Sequence, residues 1–292
     1  MAGGIGQRAA GEAGRARAGA EGAMSTGTLF VVSTPIGNLA DLSDRARRVL
    51  SEVERVYAED TRRTGRLLDR IGSEADLRSL HEHNEARRTE ELVARLREGA
   101  DCALVSDAGT PAVSDPGRRA VAASADAGIR VVPVPGPSAV LAALAASGFE
   151  ADRFTFLGFP PRSGEDRREW LRRCRDARET VVAFESPNRV AGLLGDMAAA
   201  EMGERACVLG RELTKMHEEL LRGTVAELAE SAGGRELRGE VTLVLEAGEE
   251  TGWEEREERV RRRARELDRE GKSTRDIAAA LEEEFDVPRN EA

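Results

Sequence analysis

The 292-residue chain reads as two successive α/β domains followed by a short, charged helical appendage. Three observations predict this. Apolar, β-branched runs alternate with helical stretches, the pattern of sheets whose strands are covered on both faces. The alternation occurs twice, and Gly148–Arg153 reads as a hinge between the two series. After Gly248 the strand pattern stops and the composition becomes strongly charged.

Residues 1–23 hold 15 Gly or Ala and one large aliphatic, Ile5, so nothing there can be buried and disorder is expected. Met24 directly precedes the first structured run, and the tail reads as an upstream extension. The first domain, residues 24–149, has strands at TLFVVST (28–34), RVYAED (55–60), CALVSD (102–107) and RVVPVP (130–135). Helices are expected at Arg45–Glu54 and Asn84–Glu98, the second with Leu92, Val93 and Leu96 on one face. The second domain, residues 150–248, has strands at FTFLGF (154–159), TVVAFES (180–186), ACVLGREL (206–213) and EVTLVLEA (240–247). In the appendage, 249–292, a charged helix over Trp253–Glu270 precedes STRDIAAALEEEF, which Ser273 caps and which ends before Pro288.

Composition excludes several classes. Hydrophobic residues are 40% of the chain but aromatics only 3%, so the core is built from Ala, Val and Leu. The longest apolar run, Ala139 to Ala146, falls far short of the ~18 residues of a membrane span. No apolar signal segment opens the chain. Cys102, Cys174 and Cys207 form no CxxC pair, which fits a reduced, cytoplasmic protein without structural zinc. The net charge of −10 argues against holding naked nucleic acid by bulk attraction. Arginines nevertheless cluster: Arg62, Arg63, Arg66 and Arg70; Arg87 and Arg88; Arg167, Arg168, Arg172, Arg173 and Arg175. Each cluster is either a solvated helix face or a local surface for a large anionic partner.

Ligands of open α/β sheets bind beyond the carboxyl ends of the strands. Here those ends carry Ser33-Thr34-Pro35-Ile36-Gly37-Asn38, Glu59-Asp60-Thr61-Arg62, His81-Glu82-His83-Asn84, Ser106-Asp107-Ala108-Gly109-Thr110-Pro111, Ser114-Asp115-Pro116-Gly117 and Pro135-Gly136-Pro137-Ser138. The second series ends in Phe184-Glu185-Ser186-Pro187-Asn188-Arg189 and Gly210-Arg211-Glu212-Leu213-Thr214-Lys215. Singly, each is an ordinary turn. Together they crowd one rim with hydroxyls, carboxylates and glycines that let a ligand approach the backbone. Neither a GxxxxGK(S/T) phosphate loop nor a GxGxxG after a strand is present. Gly136-Pro137-Ser138 lacks the final glycine of a nucleophile elbow.

STPIGNLADLSDRA, AEDTRRTG, LHEHNE, LVSDAGTPAVSDPG, VVPVPGPSAV, FLGFPPR, FESPNRV, GRELTKMHE and RGEVTLVLE occur in order over residues 28–246. In these nine motifs the chain resembles the ribosomal RNA small subunit methyltransferase I family, which has the tetrapyrrole-methylase fold. The resemblance implies two α/β domains of that type with S-adenosylmethionine folded in a cleft between them. It also implies 2′-O-methylation of a cytidine in 16S rRNA, within the small ribosomal subunit. A homodimer in the cytoplasm is expected, with no membrane partner and no metal. Two departures stand out: the Gly/Ala tail is extra, and the appendage stops soon after Val287-Pro288-Arg289, where the family is longer.

By resemblance the cofactor is held by Pro35, Gly37 and Asn38, by Asp107, Ala108, Gly109, Thr110 and Pro111, and by Pro135, Gly136, Pro137 and Ser138. Phe184, Glu185, Ser186, Glu212 and Leu213 would close over it. A ribose hydroxyl is a poor nucleophile at neutral pH and needs a base, or a partner that stabilises the developing alkoxide. Glu59, Asp60, Glu185 and Glu212 are candidates for the first task. Arg62, Lys215 and Arg189 suit the second, and spacing does not choose among them. A small-molecule, tetrapyrrole-like methylase of the same fold is the alternative; a non-catalytic RNA-binding module is a third.

Overall fold

The computed structural model describes residues 26–234, 238–248 and 253–285, with no side-chain description for 253–259 and 283. The tail expected to be disordered, residues 1–23, lies outside the described residues. The chain divides into two compact units. One holds residues up to Ala146 together with Gly210–Leu220 and Gly239–Thr242. The other holds Ser147–Leu209, Leu221–Arg238 and the chain from Leu243 onward.

In the first unit, β1 (Thr28–Val32), β2 (Arg55–Ala58), β3 (Asp76–Ser79), β4 (Cys102–Leu104) and β5 (Arg130–Val134) form one sheet. Its order is β3-β2-β4-β1-β5, and every neighbouring pair is parallel. Helices α1 (Asp44–Glu52), α2 (Thr61–Ile71), α3 (Glu85–Arg97), α4 (Arg118–Asp126) and α5 (Ala139–Ser147) alternate with the strands. The continuous apolar runs follow from burial on both faces. On β2, Val56 joins the cluster of Leu50, Leu68 and Val105, whereas its neighbour Tyr57 joins Leu92, Leu96 and Leu104. Truncating one of these leucines to alanine costs about 2–5 kcal/mol.

The four strands expected in this unit are present, but each ends earlier than its apolar run, because the last residues turn out as loops. The sheet also has a fifth strand that the periodicity did not reveal, β3. Its sequence DLRS is too polar to read as a strand. It is an edge strand, defined by pairing with β2 (Arg55 opposite Asp76) and by the 2.7 Å ion pair between those two side chains.

The remaining strands form a second five-stranded sheet, β6-β7-β10-β8-β9. They are β6 (Phe154–Phe156), β7 (Thr180–Glu185), β8 (Ala206–Arg211), β9 (Glu219–Thr224) and β10 (Val241–Leu245). β10 is buried along its whole length, as a central strand should be. The unexpected member is again at an edge: β9, ELLRGT, has no buried residue and no clean alternation. Helices α6 (Gly164–Asp176), α7 (Pro187–Met197) and α8 (Val225–Gly233) accompany this sheet. Thr224 and Glu227 close a reciprocal capping box on α8. In the appendage, α9 (Trp253–Arg269) and α10 (Thr274–Phe285) are tied by Arg263, which reaches Glu284 at 2.8 and 3.0 Å. Ser273 caps α10 as expected, its Oγ accepting from Asp276 N at 3.2 Å.

Candidate active site

Parallel strands bring the carboxyl ends of β1, β2, β4 and β5 to one edge of the first sheet. The chain stays knitted beyond them. Thr34 N donates to Gly109 O at 2.9 Å and Gly109 N donates back to Thr34 O at 3.0 Å. Thr34 Oγ1 donates to Ser106 O at 3.1 Å, and the hydroxyls of Ser33 and Thr110 lie 3.0 Å apart. Ser33 N reaches Val134 O at 3.1 Å, just before Pro135. Asp60 N donates to Asp107 Oδ1 at 2.8 Å. Pro35–Asn38, Asp107–Pro111 and Pro135–Ser138 are therefore one hydrogen-bonded patch within the first unit.

Glycine is required at several points of it. A side chain on Gly136 would place its Cβ 3.0 Å from Ser33 Cβ and 3.4 Å from Ser33 O. Gly109 sits at φ +83°, a left-handed conformation that other residues adopt at a cost. The same loop holds Ala112 (φ +66°) and Ser114 (φ +62°) in that region. Such conformations cost of order 1–3 kcal/mol each and persist where the surroundings enforce them. Two predicted site residues serve as caps: Asn38 Oδ1 accepts from Ala40 N at 3.0 Å, and Ser138 Oγ accepts from Leu141 N at 3.4 Å.

The carboxylates at this edge differ in character. Asp60 caps α2, accepting from Arg62 N at 2.8 Å, and is clasped by Arg62 Nε and Nη2 at 3.2 and 2.9 Å. Those contacts hold its carboxyl down at about 2. So engaged, Asp60 is a poor base. Glu59 behaves oppositely: burial raises it, and the neighbouring Asp107 charge adds to the effect. Asp115 goes furthest, pushed up to about 6 by burial and by the charges of Glu59 and Asp107, against the opposing hydrogen bond of Ser106. In the sequence Asp115 stands in one of the rim turns but not among the candidate bases. The available signal was the Asp115-Pro116-Gly117 turn in the strained loop, which reads as punctuation until the fold sets it beside Glu59.

Glu212, Leu213 and Lys215 belong to the first unit through the segment Gly210–Leu220. Lys215 Nζ donates to Glu212 Oε1 at 2.7 Å and to Glu240 Oε2 at 3.0 Å. Glu212 N donates to Glu240 O at 3.0 Å, and Glu240 N to Glu212 Oε1 at 3.0 Å. Burial disfavours the Lys215 charge, but the hydrogen bonds to Glu212 and Glu240 prevail and raise it. Lys215 in turn lowers Glu212. The ammonium is locked, a fixed cation and no proton acceptor. Glu212 and Thr214 both have positive φ, +50° and +67°. Beneath them lies Gly37: a methyl there would overlap Lys215 Cγ and stand 3.0 Å from Thr214 Oγ1, a buried hydroxyl without a hydrogen-bond partner. Leu213 is buried, its side chain against Gly210.

Phe184, Glu185 and Ser186 close β7 and its exit in the second unit. The Phe184 ring packs against Phe156 and Phe159, with centroids at 4.9 and 5.4 Å. The Glu185 side chain is 1% exposed; Oε1 accepts from Ser186 N at 2.7 Å, and Oε2 lies 3.2 Å from Arg189 Nη2 without hydrogen-bond alignment. Among the described residues, no group of three or more His, Cys, Asp and Glu side chains is placed to hold a metal ion.

With this geometry in hand, the comparisons with known proteins define the class. The family model described as Tetrapyrrole (Corrin/Porphyrin) Methylases matches residues 28–229, and the chain belongs to that family. Solved neighbours include uroporphyrin-III-C-methyltransferase from Thermus thermophilus (TM-score 0.53, 23% identity, 75% of this chain and 94% of that one). The cobalamin biosynthetic enzyme cobalt precorrin-4 methyltransferase is another (TM-score 0.58, 18% identity, 75% and 94%). At these identities they show the fold alone: the α/β architecture of the tetrapyrrole-methylase type that the sequence predicts. Within the family, the ribosomal RNA small subunit methyltransferase I of Pseudomonas aeruginosa is 46% identical over 79% of this chain and 81% of its own. That of Micromonospora olivasterospora is 42% identical over 91% and 85%. The chain belongs to this branch.

Proposed function

We propose that the chain transfers a methyl group from S-adenosylmethionine to the ribose 2′-oxygen of one cytidine in 16S rRNA, acting on the small ribosomal subunit. The observation that carries the proposal is the knitted patch Thr34–Gly109–Gly136, in a chain 40–48% identical to relatives named for this RNA. The patch fits the cofactor. Its glycines carry no side chain to hold a ligand off the backbone, and Asp107, which accepts from Asp60 N through Oδ1, supplies a carboxylate for a cationic group. When bound, S-adenosylmethionine supplies an electrophilic methyl carbon and a neutral thioether leaving group. Pro35–Gly37, Asp107–Pro111 and Pro135–Ser138 would hold it.

The chain's own part is positioning and proton handling. Backbone patches fixed by hydrogen bonds keep the reacting groups aligned, which supplies much of the acceleration in a displacement of this kind. Asp115, at about 6, is mostly ionised at neutral pH yet still basic enough to accept the 2′-hydroxyl proton. Lys215, held as a fixed cation, contributes positive potential as the oxygen becomes negative. The homodimer implied by the resemblance belongs to this proposal and is checked by mass in solution.

Transfer of radiolabelled methyl from S-adenosylmethionine to unmodified small subunits tests the proposal, with uroporphyrinogen as a competing acceptor. Label in 16S rRNA that the competitor does not reduce is the expected result. Label in the tetrapyrrole alone would favour a small-molecule methylase of the same fold. The relatives' shared name weighs for RNA; the low-identity neighbours weigh only for the fold.

A further inference from the structure

We propose that one face of α2, formed by Arg63, Arg66 and Arg70, is the rail that holds the RNA backbone beside the methyl-transfer site. This assignment rests on the RNA substrate proposed above. The three residues recur at intervals of three and four, so they share one side of the helix. All three line a cavity of ≈ 280 Å³ whose other residues include Pro35, Gly37 and Asp107 of the cofactor patch. Their neighbour Arg62 is excluded, because it is bound to Asp60.

Two members of this face, Arg66 and Arg70, lack neutralising partners among the described residues where they line the cavity. On α6, four of the five arginines are paired with acids: Arg167 with Asp196 at 2.6 Å, Arg168 with Glu165 at 2.5 Å, Arg172 with Glu169 at 2.8 Å and Arg175 with Asp176 at 2.8 Å. On α2, Arg63 stands 3.7 Å from Asp107, and Arg66 and Arg70 meet no carboxylate among the described residues. The two helices look alike as arginine clusters in the sequence, yet on α2 two of the four arginines, Arg66 and Arg70, carry no ion pair among the described residues, and both line the cavity. A guanidinium stays charged at every physiological pH and offers paired donors that match phosphate oxygens. From Arg63 to Arg70 the rail runs about 10 Å along the helix axis, the span of two or three successive phosphates of one stacked strand. In a chain of net charge −10, such a local stripe decides where RNA settles.

The test uses the full chain, S-adenosylmethionine and unmodified small subunits. Variants are Arg66→Gln, Arg70→Gln and their combination, with Arg172→Gln on α6 as control. Each α2 substitution is expected to raise KM for subunits about fivefold and to lower the salt slope of subunit binding by about 0.7. Cofactor affinity and kcat at saturating subunits should hold, and Arg172→Gln should change neither KM nor slope. Wild-type cofactor affinity in the variants certifies their fold, since both arginines are exposed. Unchanged KM and slope in the double variant, with wild-type protein methylating subunits, would overturn the rail and leave the RNA assignment standing. A raised KM with an unaltered slope would overturn the phosphate contact. No transfer to subunits by the wild type would overturn the RNA assignment, and the rail with it.

Discussion

Thr34 and Gly109, 75 positions apart in the chain, exchange both of their backbone hydrogen bonds at 2.9 and 3.0 Å. They form a two-residue antiparallel bridge between loops that leave parallel strands. The bridge ties together two loops of the proposed cofactor patch. It also makes the patch sensitive to any side chain that separates its layers, as one would at Gly136, whose Cβ position lies 3.0 Å from Ser33 Cβ.

Gly136→Val should therefore cost about 1–3 kcal/mol in stability from overpacking and weaken S-adenosylmethionine binding at least tenfold. Thermal unfolding and titration calorimetry measure the two effects. Wild-type affinity in a folded variant would remove Pro135–Ser138 from the cofactor patch.

Asp115→Asn should lower turnover by about 10² or more. In the wild type the acid limb of the single-turnover pH profile should follow a group near 6, and the variant should lose it. The stability sign is opposite. A carboxyl raised from 3.8 to about 6 favours the folded state at pH below 3.8 relative to neutral pH, because folding then buries no charge. That advantage disappears as pH rises from 3.8 through 6. Asp115→Asn should accordingly melt higher than wild type at pH 7 while turning over more slowly. A variant that loses stability and keeps its rate would make Asp115 a structural residue.

Asp60 separates capping from catalysis. Asp60→Ala should cost about 1 kcal/mol through loss of the α2 cap, whereas Asp60→Asn should keep most of that stability. Turnover in Asp60→Asn should fall much less than in Asp115→Asn. The reverse ranking of rates would return the role of base to Asp60.

Much of the first unit was legible from one chemical fact: its strands are apolar on both faces, so they appear as runs. The edge strands β3 and β9 were not, since DLRS and ELLRGT owe their conformation to a neighbour and not to their own pattern. The site divides in the same way. The glycines at 37, 109 and 136 announce a backbone that something approaches closely. The roles of the ionisable groups depend on distances that no spacing encodes. Asp60 is tied to Arg62 two residues on, whereas Asp115 is perturbed by Glu59, 56 positions away. Lys215 stands as a general electrostatic candidate in the sequence. Only the fold seats it over Gly37 between Glu212 and Glu240.

That seat yields a further pH prediction. Glu212 is lowered by Lys215, so the stability it contributes is present above the ordinary carboxylate range and is lost as pH falls through its depressed folded value. Lys215 is raised, so its contribution is present below 10.5 and is lost as pH rises through its folded value. Lys215→Met should therefore flatten the acid-side loss of stability and lower turnover more than cofactor affinity. Gly37→Ala should produce the same kinetic defect by displacing the Lys215 stem. If both variants match wild type in single-turnover rate, the segment Glu212–Lys215 lies away from the acceptor.

The position of the new methyl group tests the central claim most directly. Alkaline cleavage of RNA uses the 2′-hydroxyl as an internal nucleophile, and a methyl on that oxygen prevents the attack. Unmodified small subunits incubated with the protein and S-adenosylmethionine should acquire one alkali-resistant linkage in 16S rRNA, on the 3′ side of a cytidine. A methylated 16S rRNA with an unaltered alkaline ladder would mean transfer to a base, and would contradict the account.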